Sequence, residues 1–249
     1  MSYFNVKLKN ITLKEVLTLI IILFVIQYIL NVLNIVQIDS VWIYIFIIIY
    51  FIFKLKNEIF TIKDDISDVF NPKMIKLVLL LVVLNIFLSY GMLYFSDYIL
   101  NTLPSFNLSN SFFSTGLFAT IIVSPISEEL IFRGVFLNRL QLVVPTVFAV
   151  LISSLLFASL HSFGSIFSAF IFAVCLSILY LKTENIFVVI FAHFLNNLFA
   201  EIIVHLDSTY ILFNNGAVVF VMSVLAIVSF ALILIFIVKE LNTISANNF

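Results

Sequence analysis

Ile121-Ile122-Val123-Ser124-Pro125-Ile126-Ser127-Glu128-Glu129-Leu130-Ile131-Phe132-Arg133-Gly134 is an apolar run interrupted by two adjacent carboxylates and one guanidinium. Placing a carboxylate in hydrocarbon costs at least a few kcal/mol, and an ionisable group at membrane depth marks a functional site by default. Packing alone does not account for two such groups side by side.

The composition places that run at membrane depth. Of 249 residues, 63% are hydrophobic and 10% charged, with a mean hydropathy of +1.26. A soluble domain has about 45–50% apolar and about 25% charged residues. The chain therefore reads as an integral membrane protein. Its net charge of −1 gives no general attraction to nucleic acid, so no nucleic-acid partner is expected. Cys175 is the single cysteine, so no intrachain disulfide can form, and it reads as a small packing residue. The excess of Phe, Ile, Leu, Lys and Asn suggests an AT-rich coding sequence, which points to a bacterial plasma membrane. Met1–Lys14 is polar with a basic bias, and the apolar run after it is too long for a cleavable signal peptide.

A helical span needs about 20 apolar residues. About eight such runs can be drawn: Val16–Val36, Val41–Phe53 (with Ile38 extending it), Leu77–Phe95, Phe112–Phe136, Val143–His161, Ile166–Leu181, Ile186–Leu206 and Ala217–Val238. The expected fold is an all-α polytopic membrane helix bundle, one integral membrane domain over residues 1–249. Charge tests this division independently. Lys7, Lys9 and Lys14 precede the first run, and Lys54, Lys56, Lys63, Lys73 and Lys76 connect the second to the third. Arg133 and Arg139 fall near the fourth connection, Lys182 in the sixth, and Lys239 after the eighth run. The alternate connections hold Asp39, Asp97 and Asp207 instead. All 12 cations thus fall on one side, which the positive-inside rule makes cytoplasmic, with both termini there. Between Lys54 and Lys73, apolar and acidic residues interleave as in a short amphipathic helix on the membrane surface.

The strongly polar groups left at depth are Glu128, Glu129, His161, His193, Asn196, Asn197 and Glu201. Glu129 and Arg133 are spaced to share a helix face and pair, whereas Glu128 lies about 100° round the helix. His193 and Asn197 share a face in the same way, as do Phe157 and His161. At about 1.5 Å per residue, Glu128 and His193 both lie roughly 10–12 Å from their cytoplasmic helix ends. Counted from Val143, His161 would lie roughly 27 Å deep, unless its span begins later or tilts. Asn196 is expected to pack, and Glu201 and His205 to continue the Asn197 stripe towards the outer end. Alone, the carboxylates could be a structural charge network, His161 an interfacial residue, and Asn197 an interhelical hydrogen bond.

Together, Glu128-Glu129-x-x-x-Arg133, Phe157-x-x-x-His161 and His193-x-x-x-Asn197 resemble the three motifs of the CPBP intramembrane proteases. That family includes eukaryotic CAAX prenyl endopeptidases and bacterial Abi and bacteriocin-immunity proteins. The resemblance covers a core of residues 112–205. It implies an intramembrane endopeptidase acting on a membrane-associated peptide or protein. It implies Glu128 as the base that activates water, assisted by His161, with His193 and Asn197 stabilising the oxyanion and Glu129 and Arg133 in support. Glu128, His161 and His193 are also the ligand set of a hydrolytic zinc site, so metal-bound and carboxylate-activated water both stay open. Two other classes remain: a non-catalytic scaffold or immunity protein of the same fold, and a proton-coupled transporter, since membrane Glu and His also build proton relays.

Overall fold

The structure, a computed structural model, describes residues 2–35, 39, 41–100, 116–161, 166–206 and 215–246. Val36, Ile38, Phe112 and Asp207, used above to draw runs and connections, lie outside them. The described residues form ten helices and no strand. They are α1 (Tyr3–Lys9), α2 (Leu13–Val32), α3 (Val41–Leu55), α4 (Ile62–Val69), α5 (Pro72–Leu100), α6 (117–140), α7 (Thr146–Ser159), α8 (Ile166–Thr183), α9 (Ile186–Leu206) and α10 (Gly216–Ala246). By length and composition, α2, α5, α8, α9 and α10 are long and apolar enough to cross a membrane. Helices α3 and α7 are apolar but shorter, and α6 carries the charged stretch. Each of the eight apolar runs corresponds to one helix.

Local chemistry sets the helix starts. The Ser2 side chain accepts from Asn5 N at the head of α1. Thr12 caps α2: Glu15 N donates to Thr12 Oγ1 at 3.3 Å, and Thr12 Oγ1 in turn donates to the Glu15 carboxylate at 3.0 Å. Asn71 caps α5 and Pro145 directly precedes α7, where a fixed φ suits the chain entering a helix.

Helix α6 is not a regular α-helix. Ala119–Val123 and Leu130–Leu137 are π-helical, with α-helical turns at Ser124–Glu129 and Asn138–Leu140. Pro125 gives a physical reason for the first widening: it has no N–H, and its ring crowds the carbonyl one turn back. Below the second, Asn138 Nδ2 donates to Arg133 O at 2.9 Å and to Gly134 O at 2.8 Å, and lies 2.9 Å from the Tyr180 hydroxyl. Its side chain thereby satisfies carbonyls at the loosened end of the helix.

Polar contacts gather the cationic connections at one end of the bundle. Lys9 pairs with Glu184 at 2.9 Å, Lys54 with Glu15 at 2.6 Å, and Lys182 with Glu240 at 2.7 Å. Arg139 Nε donates to Ile11 O at 2.9 Å. The same end carries a small cap built from α1 and α4. Asn5 Nδ2 donates to Asp65 at 2.9 Å, Asn185 Nδ2 to Asp65 O at 2.8 Å, and Ile186 N to Asn5 Oδ1 at 3.1 Å. Helix α4 is the short amphipathic helix expected between Lys54 and Lys73, and with α1 it covers the start of α9.

Deeper in the bundle, α5 lies along α9, with Asn85 Nδ2 on Asn196 Oδ1 at 2.8 Å and the Tyr90 hydroxyl on Ala200 O at 3.3 Å. Asn196 is thus a hydrogen-bonded residue between helices rather than simple packing. On its other side α5 meets α10 at Gly91, where an added Cβ would fall 2.3 Å from Ala226 Cβ and 2.7 Å from Met222 O. Gly91→Ala should therefore part these helices and lower stability by about 1–3 kcal/mol, read as a lower melting temperature in detergent. In a Cys175→Ala background, a membrane-impermeant maleimide should label Asn57→Cys from the cytoplasmic side only and Asn215→Cys from the other side only. Labelling of both from one side would overturn the topology.

Candidate active site

Glu128 and Glu129 sit in the one α-helical segment of α6 between its π-helical stretches, so they point to different neighbours. Glu129 and Arg133 are fully buried and paired at 2.8 Å. Arg133 also donates to Ala173 O on α8 at 3.0 Å, and its guanidinium lies 4.5 Å from the centre of the Phe157 ring on α7. Glu129 accepts a second bond at 2.8 Å from Nδ1 of His193 on α9. One buried ion pair thereby touches α7, α8 and α9. Breaking such a pair leaves an uncompensated charge, which typically costs about 3–5 kcal/mol.

Glu128 faces the other way. Its Oε2 is 3.5 Å from Nε2 of His161 and 4.0 Å from Nε2 of His193. Ser124 Oγ, one turn earlier on α6, donates to its Oε1. Tyr44, from α3, lines the same cavity as Glu128 and His161. Oε2 itself is buried and has no hydrogen-bond partner among the described residues.

The tautomers follow from the partners. His161 Nδ1 is 2.8 Å from Phe157 O, a carbonyl that can only accept, so Nδ1 carries the proton. His193 Nδ1 lies against the Glu129 carboxylate and donates to it. In their neutral forms both imidazoles therefore turn an Nε2 lone pair towards Glu128 Oε2. Three acceptors converging on one buried point require something between them: a water, a proton on one ring, or a cation. The Phe157 ring holds the imidazoles in place, with centroid separations of 4.2 Å to His161 and 5.6 Å to His193.

The depth of His161 is thereby accounted for. Helix α6 continues to Leu140, which puts Glu128 roughly 18 Å from its end, and α7 begins only at Thr146, which puts His161 roughly 22 Å along. His193 reaches the same level because α9 starts beneath the α1–α4 cap, at a buried Asn185 and Ile186.

Asn197 is placed differently from the other three expected catalytic residues. Its Nδ2 donates to Thr120 O of the first π-helical stretch at 3.0 Å, and its Oδ1 lies 3.4 Å from Asn196 Nδ2. It thus ends a polar ladder from Asn85 to α6, while one amide hydrogen has no partner among the described residues. Glu201 is buried, but no described contact joins it to the cluster. Sequence reading missed Tyr44 and Ser124. An isolated tyrosine among Ile and Trp gives no hydropathy signal, although Ser124 stands one helical turn from Glu128.

A cavity of about 150 Å³ opens beside Glu128 and His161, walled by Ile20, Phe24, Tyr44 and Phe132. The ligand atoms of Glu128, His161 and His193 all lie within 4.8 Å of one another, a group that could hold a metal ion.

Residues 110–199 match the family model of type II CAAX prenyl endopeptidases, Rce1-like, so the resemblance carried by the three motifs holds as a family match over that segment. No curated protein and no solved structure matches the chain.

Arg133→Ala should lower stability in detergent by about 3–5 kcal/mol, because it strands Glu129 in a dry site. Arg133→Lys should recover only part of this, since an ammonium does not reproduce the planar fork that spans Glu129 and Ala173 O. A wild-type melting temperature for Arg133→Ala would show that the pair is not structural.

Proposed function

We propose that the protein is an intramembrane endopeptidase in which Glu128 activates a water to attack a peptide bond. The family match supports this kind of activity. The observation that carries the mechanism is Glu128 Oε2, buried, without a hydrogen-bond partner among the described residues, and facing two imidazole Nε2 atoms from separate helices. A water placed among these atoms donates to Glu128 and loses its proton to it as it attacks the carbonyl carbon. Glu128 then returns that proton to the departing amine nitrogen. His161 assists by accepting a hydrogen bond from the water's other hydrogen at Nε2, which orients the water for attack. His193 has its Nδ1–H fixed by Glu129, so with Nε2 protonated from solvent before the attack it donates towards the developing oxyanion. Asn197, with its remaining amide hydrogen, acts with it. Glu129 and Arg133 hold the helix and His193 in register.

A second reading uses the same three side chains as metal ligands. The fit is chemical: one carboxylate and two imidazoles, with each Nδ1–H held by a second partner, is the donor set of hydrolytic zinc sites. A zinc ion bound there would supply Lewis-acid polarisation and lower the pKa of a water. Glu129 and the Phe157 carbonyl would orient the two imidazoles in either case.

The substrate is a peptide or membrane-associated protein segment, and the lipid bilayer is the other partner. In a bacterial plasma membrane, a pheromone or bacteriocin precursor, or a regulatory protein, is the kind of target proposed, with residues 112–205 as the catalytic core of a single integral membrane domain. Eight membrane crossings with both termini in the cytoplasm complete this reading.

Glu128→Ala and His193→Ala should each abolish cleavage while the protein still inserts and accumulates. Membrane peptides from cells with wild-type protein should therefore differ from those with Glu128→Ala, and the peptides that change name the substrate. Full biological function in Glu128→Ala would instead favour the scaffold or immunity reading, and substrate uptake into liposomes the transporter. Loss of cleavage on chelation, restored by zinc, would establish the metal-bound form; unchanged turnover would establish the carboxylate alone.

A further inference from the structure

The cavity beside Glu128 is walled by four helices, two of which, α2 and α3, lie outside residues 110–199. Helix α2 supplies Ile20 and Phe24, one turn apart on one face, and α3 supplies Ile43 and Ile47 in the same relation. Phe132 and Leu160 close it from α6 and α7. Apart from Tyr44 and the reacting Glu128 and His161, its lining is apolar. The foot of α2 is fixed: Val16 is fully buried, and Glu15 accepts from the Tyr50 hydroxyl at 3.0 Å and from Lys54 at 2.6 Å, both on α3. Further along, Phe24 is 54% exposed, and Leu160 across the cavity is 74% exposed, so the cavity opens past them to the outside of the bundle. Phe24 lies roughly 17 Å from the start of α2, near the level of Glu128, so this mouth meets hydrocarbon.

Size and polarity restrict what enters. At about 150 Å³ the cavity is well below the about 300–1,000 Å³ of pockets that bury drug-sized ligands, so it suits one side chain rather than a folded segment. A charged side chain would give up its water against these walls. An acidic one would be repelled by Glu128, and a basic one would pair with that carboxylate and take it out of the reaction. A small one would leave the apolar walls uncovered. A bulky apolar side chain covers them and leaves Glu128 free.

Resting on the endopeptidase reading, we infer that this cavity receives one bulky apolar side chain of the substrate, next to the bond that is cut, and that Ile20 and Phe24 of α2 determine which side chain is accepted. The substrate reaches it from the bilayer, past Phe24 and Leu160. The helix that sets the preference therefore belongs to the part of the chain that the family match does not cover.

The test uses the full-length protein in detergent. The probe is a synthetic copy of a peptide that wild type cleaves and Glu128→Ala does not, with each residue flanking the cut replaced in turn by Ala, Leu, Phe, Trp, Asp and Lys. At one of these positions wild type should prefer Leu or Phe to Ala by roughly tenfold or more in kcat/KM, and should discriminate still more against Asp and Lys. Phe24→Ala widens the pocket and should raise the Trp-to-Leu ratio at that position roughly tenfold, whereas Ile20→Phe narrows it and should lower the ratio. Ile22→Ala, on the far side of α2 and 49% exposed, should leave every ratio unchanged. A ratio taken within one variant does not depend on how much of it is folded. Identical preferences in wild type, Phe24→Ala and Ile20→Phe would overturn the inference and leave the protease reading standing. So would a wild type that takes Asp or Lys as readily as Leu at both positions. If wild type cleaves no peptide at all, the endopeptidase reading itself fails, and the inference with it.

Discussion

The structure depends on one guanidinium that has no access to water. Arg133 is fully buried, and its bonds to Glu129 and Ala173 O, with the Phe157 ring below it, tie α7 and α8 to α6. Through Glu129 the same pair holds Nδ1 of His193. In a low-dielectric interior such a pair persists only if both members are in place. Structural and chemical demands therefore fall on adjacent residues: Glu129 anchors the bundle, and Glu128, about 100° away, is left free to face the imidazoles.

The division of labour between the two carboxylates was legible in the sequence because it rests on helix periodicity. The i, i+4 spacing gave Glu129 its arginine, and the lack of such a cation for Glu128 left it for other helices. The helices themselves were legible because hydrocarbon demands long apolar runs, and those runs are hard to mistake at this composition. Their depth was harder to read. The π-helical stretches of α6 and its extension to Leu140 alter where Glu128 sits, and nothing in hydropathy reports a helix that widens around Pro125.

Long-range polar contacts were illegible for another reason. Tyr44 comes to line the same cavity as Glu128 across a great separation in sequence, and Asn5, Asp65 and Asn185 meet only once the chain has folded back on itself. A single hydroxyl or amide in an apolar or interfacial segment has no partner that spacing alone can name. Only the three-dimensional arrangement shows that these residues set the level at which α9 begins, and so where His193 lies.

The Asn5–Ile186 hydrogen bond joins residues 181 positions apart and has a bearing on biosynthesis. A chain inserted as far as α7 already contains Glu128, Arg133 and His161, but His193 has yet to be made. Arg133 and Glu129 enter on one helix as a nearly neutral pair, which eases their passage into the bilayer. The second imidazole arrives only with α9, and it reaches its level only when the start of that helix tucks under the N-terminal cap. The geometry of the centre is thus complete only late in synthesis, when the first and the last thirds of the chain have met.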